Sequence, residues 1–237
     1  MRRTPSSADP DVAALAAVIA DPTRCAMLYA LLGGGEACAS ELAFRAGASP
    51  QAASSHLGKL VGAGFLSVRS DGRQKVFRMA SPDVARAMES LAAIAKPARI
   101  RALGQHEALQ RMREARSCYD HLAGRIGVAV RDRLVEKGYL TMESGRLETT
   151  AAGDAFFESL EIDVRAIRGG RRVFARACVD WTERRPHVAG ALGAAMLTRF
   201  IAARWFARGA IDRSLRVTPE GRNALERFFG IAGPVRS

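Results

Sequence analysis

Between Ser40 and Arg78, two short helix patterns and two strand patterns follow one another at spacings that leave the chain few ways to fold. Glu41-Leu42-Ala43 opens a short helix with Leu42, Ala43 and Ala46 on its apolar side, and Gly47 closes it. Ser49-Pro50 then restarts the chain as N-cap and first helical residue, the order those two types favour. The next helix, Gln51 to Val61, sets Ala53, Leu57, Leu60 and Val61 on one face. Gln51, Ser54, Ser55, His56 and Lys59 occupy the other. Gly62 and Gly64 end it. Phe65–Arg69 and Gln74–Met79 read as strands around Ser70-Asp71-Gly72-Arg73, and Asp-Gly is a strong hairpin signal. The unit is a helix-turn-helix with a basic wing formed by Arg69, Arg73, Lys75 and Arg78. Small hydroxyl, amide and imidazole groups on a free helix face suit base edges and phosphates in the major groove of duplex DNA. The expected DNA-contacting residues are Ser49, Gln51, Ser54, Ser55 and His56 on the helix with Lys59, and Arg69, Arg73 and Lys75 on the wing.

Several motifs then fall in order: Asp21-Pro22-Thr23-Arg24, Glu41-Leu42-Ala43, Ser54-Ser55-His56-Leu57-Gly58-Lys59-Leu60 and Gly64-Phe65-Leu66. Over about residues 10–96 the chain resembles the ArsR/SmtB family of bacterial winged-helix repressors. That resemblance implies a homodimer, a recognition helix at Gln51–Val61, a dimer interface built from the first and last helices of the domain, and release from DNA when an inducer binds. Cys38 stands where arsenic- and cadmium-sensing relatives carry their first motif cysteine. Ser40 replaces the second, and the helix from Pro82 has no histidine, so the metal sites implied by the resemblance lack ligands here. Cys25 reads as a core residue.

At 237 residues the chain has room for two modest domains, and its net charge is +12. Basic residues outnumber acidic ones 12 to 8 before residue 100 and 24 to 16 after it, so both halves favour a polyanionic partner. No apolar run is long enough to span a membrane, and no apolar signal region follows Met1, so a cytoplasmic protein without membrane association is expected. In that compartment Cys25, Cys38, Cys118 and Cys178 are expected as thiols or ligands, not disulfides.

The expected organisation is a disordered tail at 1–9, a winged helix-turn-helix domain at 10–96, a linker at 97–106 around Lys96-Pro97, and a second module at 107–237. A helix from Ser81-Pro82-Asp83 to about Ala95 carries an apolar stripe of Val84, Met88, Leu91, Ala92 and Ala95. A long helix is expected from Glu107 through Leu109, Met112, Ala115 and Tyr119. The fold class is mainly α with small β-hairpins.

The second module contains an internal repeat, with copies at about 107–165 and 171–232. Cys118-Tyr119-Asp120 corresponds to Cys178-Val179-Asp180, and His121 to Gly127 corresponds to His187 to Gly193. Tyr139 then matches Trp205, and Thr150 to Gly153 matches Thr218 to Gly221. The second copy has six additional residues, Trp181 to Pro186, between its Asp and its His. Each copy reads as a helix-strand-helix unit, with small Gly and Ala residues letting equivalent helices approach. If the copies pack about a pseudo-dyad, Cys118, His121, Cys178 and His187 converge. Two thiolates and two imidazoles suit a thiophilic divalent ion of the zinc or cadmium type. Asp120 and Asp180 would orient the imidazoles through their other ring nitrogens. The same residues also fit a buried Cys, a capping Asp and a backbone-bonded His that were copied with the fold.

No phosphate loop, nucleophile elbow or His-Glu-x-x-His motif occurs, so an enzyme is not expected. The combined reading is an operator-binding homodimeric repressor released by a thiophilic ion or other inducer in the duplicated module. Two alternatives stay open: a sensor of a small organic or redox-active molecule, with Tyr119, Tyr139, Trp181 and Trp205 lining its pocket, or an architectural DNA-binding protein without inducer.

Overall fold

The computed structural model describes residues 9–96, 103–143, 146–209 and 212–232. The chain divides into two compact units, residues 1–85 and 86–237. The division falls inside a helix, upstream of the boundary expected near residue 96. Of the expected tail, only Asp9 is among the described residues. Of the expected linker, residues 103–106 are described beyond 97–102, and they are helical.

The first unit runs α1 (Val12–Ile19), α2 (Pro22–Leu31), β1 (Ala37–Cys38), α3 (Ala39–Ala46), α4 (Pro50–Gly62), β2 (Leu66–Asp71) and β3 (Gln74–Met79). Its helix starts are fixed by side-chain caps: Asp21 accepts from Arg24 N ahead of Pro22, and Ser49 accepts from Ala52 N ahead of Pro50. Gly47 ends α3 in the left-handed region at φ 62°, turning the chain into α4. Met27, Leu28, Leu31, Leu42, Leu57 and Leu60 are buried. The wing hairpin pairs Leu66 with Met79 through Asp71 with Gln74, and β1 adds a third antiparallel strand against β3. This is the winged helix-turn-helix expected from the sequence. Helix α5 (Pro82–Ile94) starts in this unit and ends in the next.

The second unit opens with α6 (Leu103–Glu114), which has no fully buried residue. The chain then turns to strand at Arg116, so the long helix expected to reach Tyr119 stops at Glu114. Copy one comprises β4 (Arg116–Cys118), β5 (His121–Ala123), α7 (Gly124–Glu136), β6 (Leu140–Glu143), β7 (Arg146–Thr149) and α8 (Ala151–Ser159). A short helix, α9 (Val164–Arg168), leads to copy two: β8 (Arg176–Val179), β9 (Pro186–Ala189), α10 (Gly190–Ala202), β10 (Phe206–Arg208), β11 (Leu215–Val217) and α11 (Pro219–Phe229). Each copy is therefore hairpin, helix, hairpin, helix. Thr150 and Thr218 cap the last helices by accepting from Gly153 N and Gly221 N.

The copies interlock. Strand β7 of copy one pairs with β8 of copy two, giving the antiparallel sheet β6-β7-β8-β9. In the reciprocal place, Arg116 of β4 bridges to Ser214 just before β11. One core draws on both copies, and includes Leu122, Ile126 and Phe157 together with their repeat counterparts Val188, Leu192 and Leu225. Tyr139 stacks on Phe156 at 4.4 Å between ring centroids, and Trp205 stacks on Phe200 at 4.5 Å. These two repeat-matched aromatics pack the module.

Candidate functional site

In each copy the Cys and the His are cross-strand partners of one hairpin. Cys118 pairs with His121 across β4–β5, and Cys178 pairs with His187 across β8–β9. Residues directly opposite in an antiparallel pair project to the same face, which brings each thiol beside its imidazole. The helix expected to run through Tyr119 is thus replaced by a hairpin with the turn Tyr119-Asp120, where Tyr119 takes φ 58°. The six additional residues of copy two lengthen only the connection, since Val179 pairs with Pro186 and the Cys178–His187 register is kept.

The two hairpins meet. The ligand atoms of Cys118, His121, Cys178 and His187 all lie within 4.8 Å of one another, the two sulfurs are 4.0 Å apart, and the imidazole centroids are 5.1 Å apart. Cys118, His121 and His187 are buried and Cys178 is partly exposed. Two glycines permit the approach. A Cβ on Gly127 would sit 2.7 Å from Leu122 O and 3.6 Å from His187 Cβ, and one on Gly193 would crowd Val188 O and lie 3.1 Å from His121 Cβ. The helix glycines therefore make room for the other copy's histidine hairpin, where the sequence had suggested contact between equivalent helices.

An aspartate stands beside each imidazole. His121 Nδ1 is hydrogen-bonded to Asp120 Oδ1 at 3.2 Å, and His187 Nδ1 lies 3.3 Å from Asp180 Oδ2 without hydrogen-bond geometry. His121 Nε2 and both ring nitrogens of His187 are buried without a hydrogen-bond partner. Buried polar atoms are almost always paired, so these nitrogens beside two thiols mark a place for a ligand. The donor set is that of a tetrahedral ion site; zinc–sulfur and zinc–nitrogen bonds of about 2.3 and 2.0 Å imply ligand separations of about 3.3–3.8 Å, so these groups, spread over as much as 4.8 Å, would draw closer around an ion.

The electrostatics split the thiols. A hydrogen bond from Cys118 holds the Cys178 thiol far below its ordinary range despite burial, and His121 and His187 add to the effect. Cys118 is correspondingly pushed well up by Cys178 and by its own burial. Burial opposes charge on His187, but Asp180 and Cys178 outweigh it and raise its pKa. Burial also opposes charge on Asp180, yet His187, Arg116, Thr182 and Gly124 N hold its carboxyl well below the usual value.

Asp180 does more than face a histidine. Its Oδ2 accepts from Arg116 at 2.9 Å and from Gly124 N at 2.6 Å, so an aspartate of copy two caps α7 of copy one. Its Oδ1 accepts from Thr182 N and Thr182 Oγ1. Asp120 is paired with Arg172 at 2.6 Å. Each copy's aspartate thus holds an arginine of the other. Arg116 and Arg172 had no signal in the sequence, because nothing local marks an arginine as buried or as paired across copies.

On the reading helix α4, Ser49, Gln51, Ser54, Ser55 and Lys59 are exposed. His56 is only about a fifth exposed and turns toward Asp21, with Nδ1 3.7 Å from Oδ1. On the wing, Arg73 and Lys75 are exposed without an ion pair among the described residues, whereas Arg69 is engaged by Glu36 at 2.7 Å and Asp71 at 3.0 Å. Cys38 Sγ lies 3.0 Å from Ser40 Oγ.

Residues 21–68 match the family described as bacterial regulatory protein, arsR family. YdfF of Bacillus subtilis (strain 168), described as an uncharacterized HTH-type transcriptional regulator, is 39% identical over 223 residues, covering 94% of this chain and 99% of that one. The chain is a transcriptional regulator of the arsR family. The regulator's likeness to YdfF spans both units, whereas similar solved structures cover about a third of it. Reduced HlyU from Vibrio cholerae N16961 is 26% identical over 36% of the regulator and 90% of its own chain, with a TM-score of 0.33. The cadmium metal-sensor CMTR from Mycobacterium tuberculosis is 33% identical over 38% and 98%, with a TM-score of 0.31. Members of this family regulate transcription by binding operator DNA and are not enzymes. No single helix among the regulator's described residues is long and apolar enough to cross a membrane.

Proposed function

We propose that this protein is a cytoplasmic, homodimeric repressor whose second unit releases it from its operator when a thiophilic divalent ion of the zinc or cadmium type binds Cys118, His121, Cys178 and His187. The observation that carries this reading is that each repeat copy contributes a thiol and an imidazole whose Nε2 is buried and unpartnered, with ligand atoms of all four residues within 4.8 Å of one another. Cys118 and Cys178 would supply thiolates and His121 and His187 their Nε2 atoms, while Asp120 and Asp180 fix the ring orientations from Nδ1. The ion would supply positive charge that draws the two hairpins together. An oxidant-sensing reading uses the Cys118–Cys178 pair at 4.0 Å but leaves both imidazole nitrogens without a role, so the ion is preferred.

Gln51, Ser54 and Ser55 meet base edges in this reading, and Lys59, Arg73 and Lys75 hold phosphates, with Ser49 at the helix start. His56 and Arg69 act within the domain, orienting α4 and the wing. The dimer is supported by uncovered apolar side chains, Val12 and Leu15 on α1 and Leu91 and Ile94 on α5. The domain scheme proposed is a reading unit, α5 as its last helix, and a duplicated sensing unit. Metal analysis of the purified protein, joined to a binding titration on the DNA upstream of its own gene, tests the reading. Bound zinc or cadmium together with metal-dependent loss of operator affinity supports it. An architectural protein would show little sequence preference and no response.

A further inference from the structure

Burying a charged side chain costs several kcal/mol unless it is well paired, so the places where a chain does so carry information. Apart from Glu89, every fully buried polar or charged residue described is in or beside the ligand hairpins: Arg116, Ser117, His121, Asp180, His187 and Ser214. Glu89 lies on α5. Its carboxylate pairs with Arg213, and both side chains are nearly without exposure, at 4% and 6%. Arg213 in turn grips the strand that carries Cys118. Ser117 N donates to Arg213 O at 2.9 Å, the Ser117 hydroxyl donates to the same oxygen at 3.4 Å, and the Arg213 guanidinium donates to Ser117 O at 3.4 Å. Leu215 N donates to Ala115 O at 2.8 Å, which extends the pairing along the same edge.

We propose that the Glu89–Arg213 ion pair is the positioning link through which the Cys/His site acts on α5. The proposal rests on the reading of that site as the effector site. β4 is held on one edge by β5 and on the other by residues 213–215, so a shift of Cys118 toward an ion displaces Arg213. Arg213 passes the shift to Glu89, two and five positions before the exposed Leu91 and Ile94 of α5. A buried pair suits this task because neither water nor salt replaces its partner. The duplication supplies an internal control. In the register that matches Thr150 to Thr218, the counterpart of Arg213 is Gly145, so the repeat does not itself require an arginine at that position.

The test measures operator affinity with and without cadmium, and cadmium affinity by competition, for wild type, Glu89→Gln and Arg213→Lys. Wild type is expected to lose roughly a hundredfold in operator affinity with cadmium, within the range of ordinary couplings. Glu89→Gln should bind cadmium and, metal-free, the operator within about threefold of wild type, yet lose less than about tenfold on adding cadmium. Arg213→Lys, which keeps the charge but shortens the reach to both Glu89 and Ser117, should show the same reduced coupling, and it serves if Glu89→Gln fails to fold. Coupling in both variants equal to wild type overturns the link and leaves the effector reading standing. A wild type that binds cadmium with no change at the operator overturns both.

Discussion

Arg116 and Asp180, 64 positions apart and in different repeat copies, form an ion pair at 2.9 Å with neither side chain exposed. The pair stands directly behind the histidine of copy two and in front of the first turn of α7. It ties the ligand hairpins together before any ligand arrives.

Removing one partner of such a pair leaves a buried charge without compensation. Asp180→Asn is expected to destabilise the second unit by about 3–5 kcal/mol, read as a lower urea midpoint. The Asp180 carboxyl has a folded pKa depressed below 3.8. Its stabilisation is therefore fully present above the unfolded value and is lost as pH falls from there through the folded value. The gap between wild type and Asp180→Asn should be widest between about pH 4 and 6.5, narrowing below about pH 4 as the carboxyl protonates and narrowing above that window as His187, whose pKa Asp180 raises, loses its proton. A gap that widens below about pH 4 would contradict the assignment.

Gly193→Ala drives a methyl against Val188 O and His121 Cβ, whereas Gly127→Ala drives one against Leu122 O and meets His187 Cβ only in ordinary contact at 3.6 Å. Overpacking of this kind costs about 1–3 kcal/mol. Gly193→Ala should bind cadmium more weakly as well, because its methyl presses on the other copy's histidine hairpin. Isothermal titration reads this, and unchanged affinity would show that the hairpins are not held by that contact.

On the reading unit, Arg73→Ala with Lys75→Ala should weaken binding to every DNA sequence and flatten the salt dependence by about two units. Arg69→Ala should have a smaller effect on the slope, since Glu36 and Asp71 already neutralise that side chain. Ser55→Ala should leave the slope unchanged and reduce preference for the operator over random duplex.

Leu91→Glu with Ile94→Glu should convert the dimer to a folded monomer in sedimentation equilibrium and abolish operator binding. Met88→Glu should instead unfold the chain, because Met88 is 2% exposed and belongs to the interior. The apolar stripe of the sequence placed Met88 and Leu91 together. A helical period marks apolar positions but does not say which of them the chain itself covers.

The reading unit was largely legible because its signals are local. Caps at Asp21 and Ser49, Gly47 at the turn and Asp71-Gly72 in the wing each act within a few residues. The ligand hairpins were not. Their strands are three or four residues long, and β4 and β5 are buried throughout, so no alternation separates strand from helix. Repetition alone brought Cys118, His121, Cys178 and His187 together in the sequence, and it did so under the wrong secondary structure. The approach of His56 to Asp21 was likewise invisible, because the two are 35 positions apart.

In the proposed reading one site, assembled from two copies, responds to a thiophilic ion. Operator-bound protein titrated with cadmium, with the sulfur-to-cadmium charge-transfer absorption and DNA release recorded together, puts this to the test. Wild type should show both, with the absorption saturating at one ion per chain, and Cys118→Ser or Cys178→Ser should bind operator normally and show neither. Full absorption and full release in both variants would contradict the account and leave the four residues as a packed core.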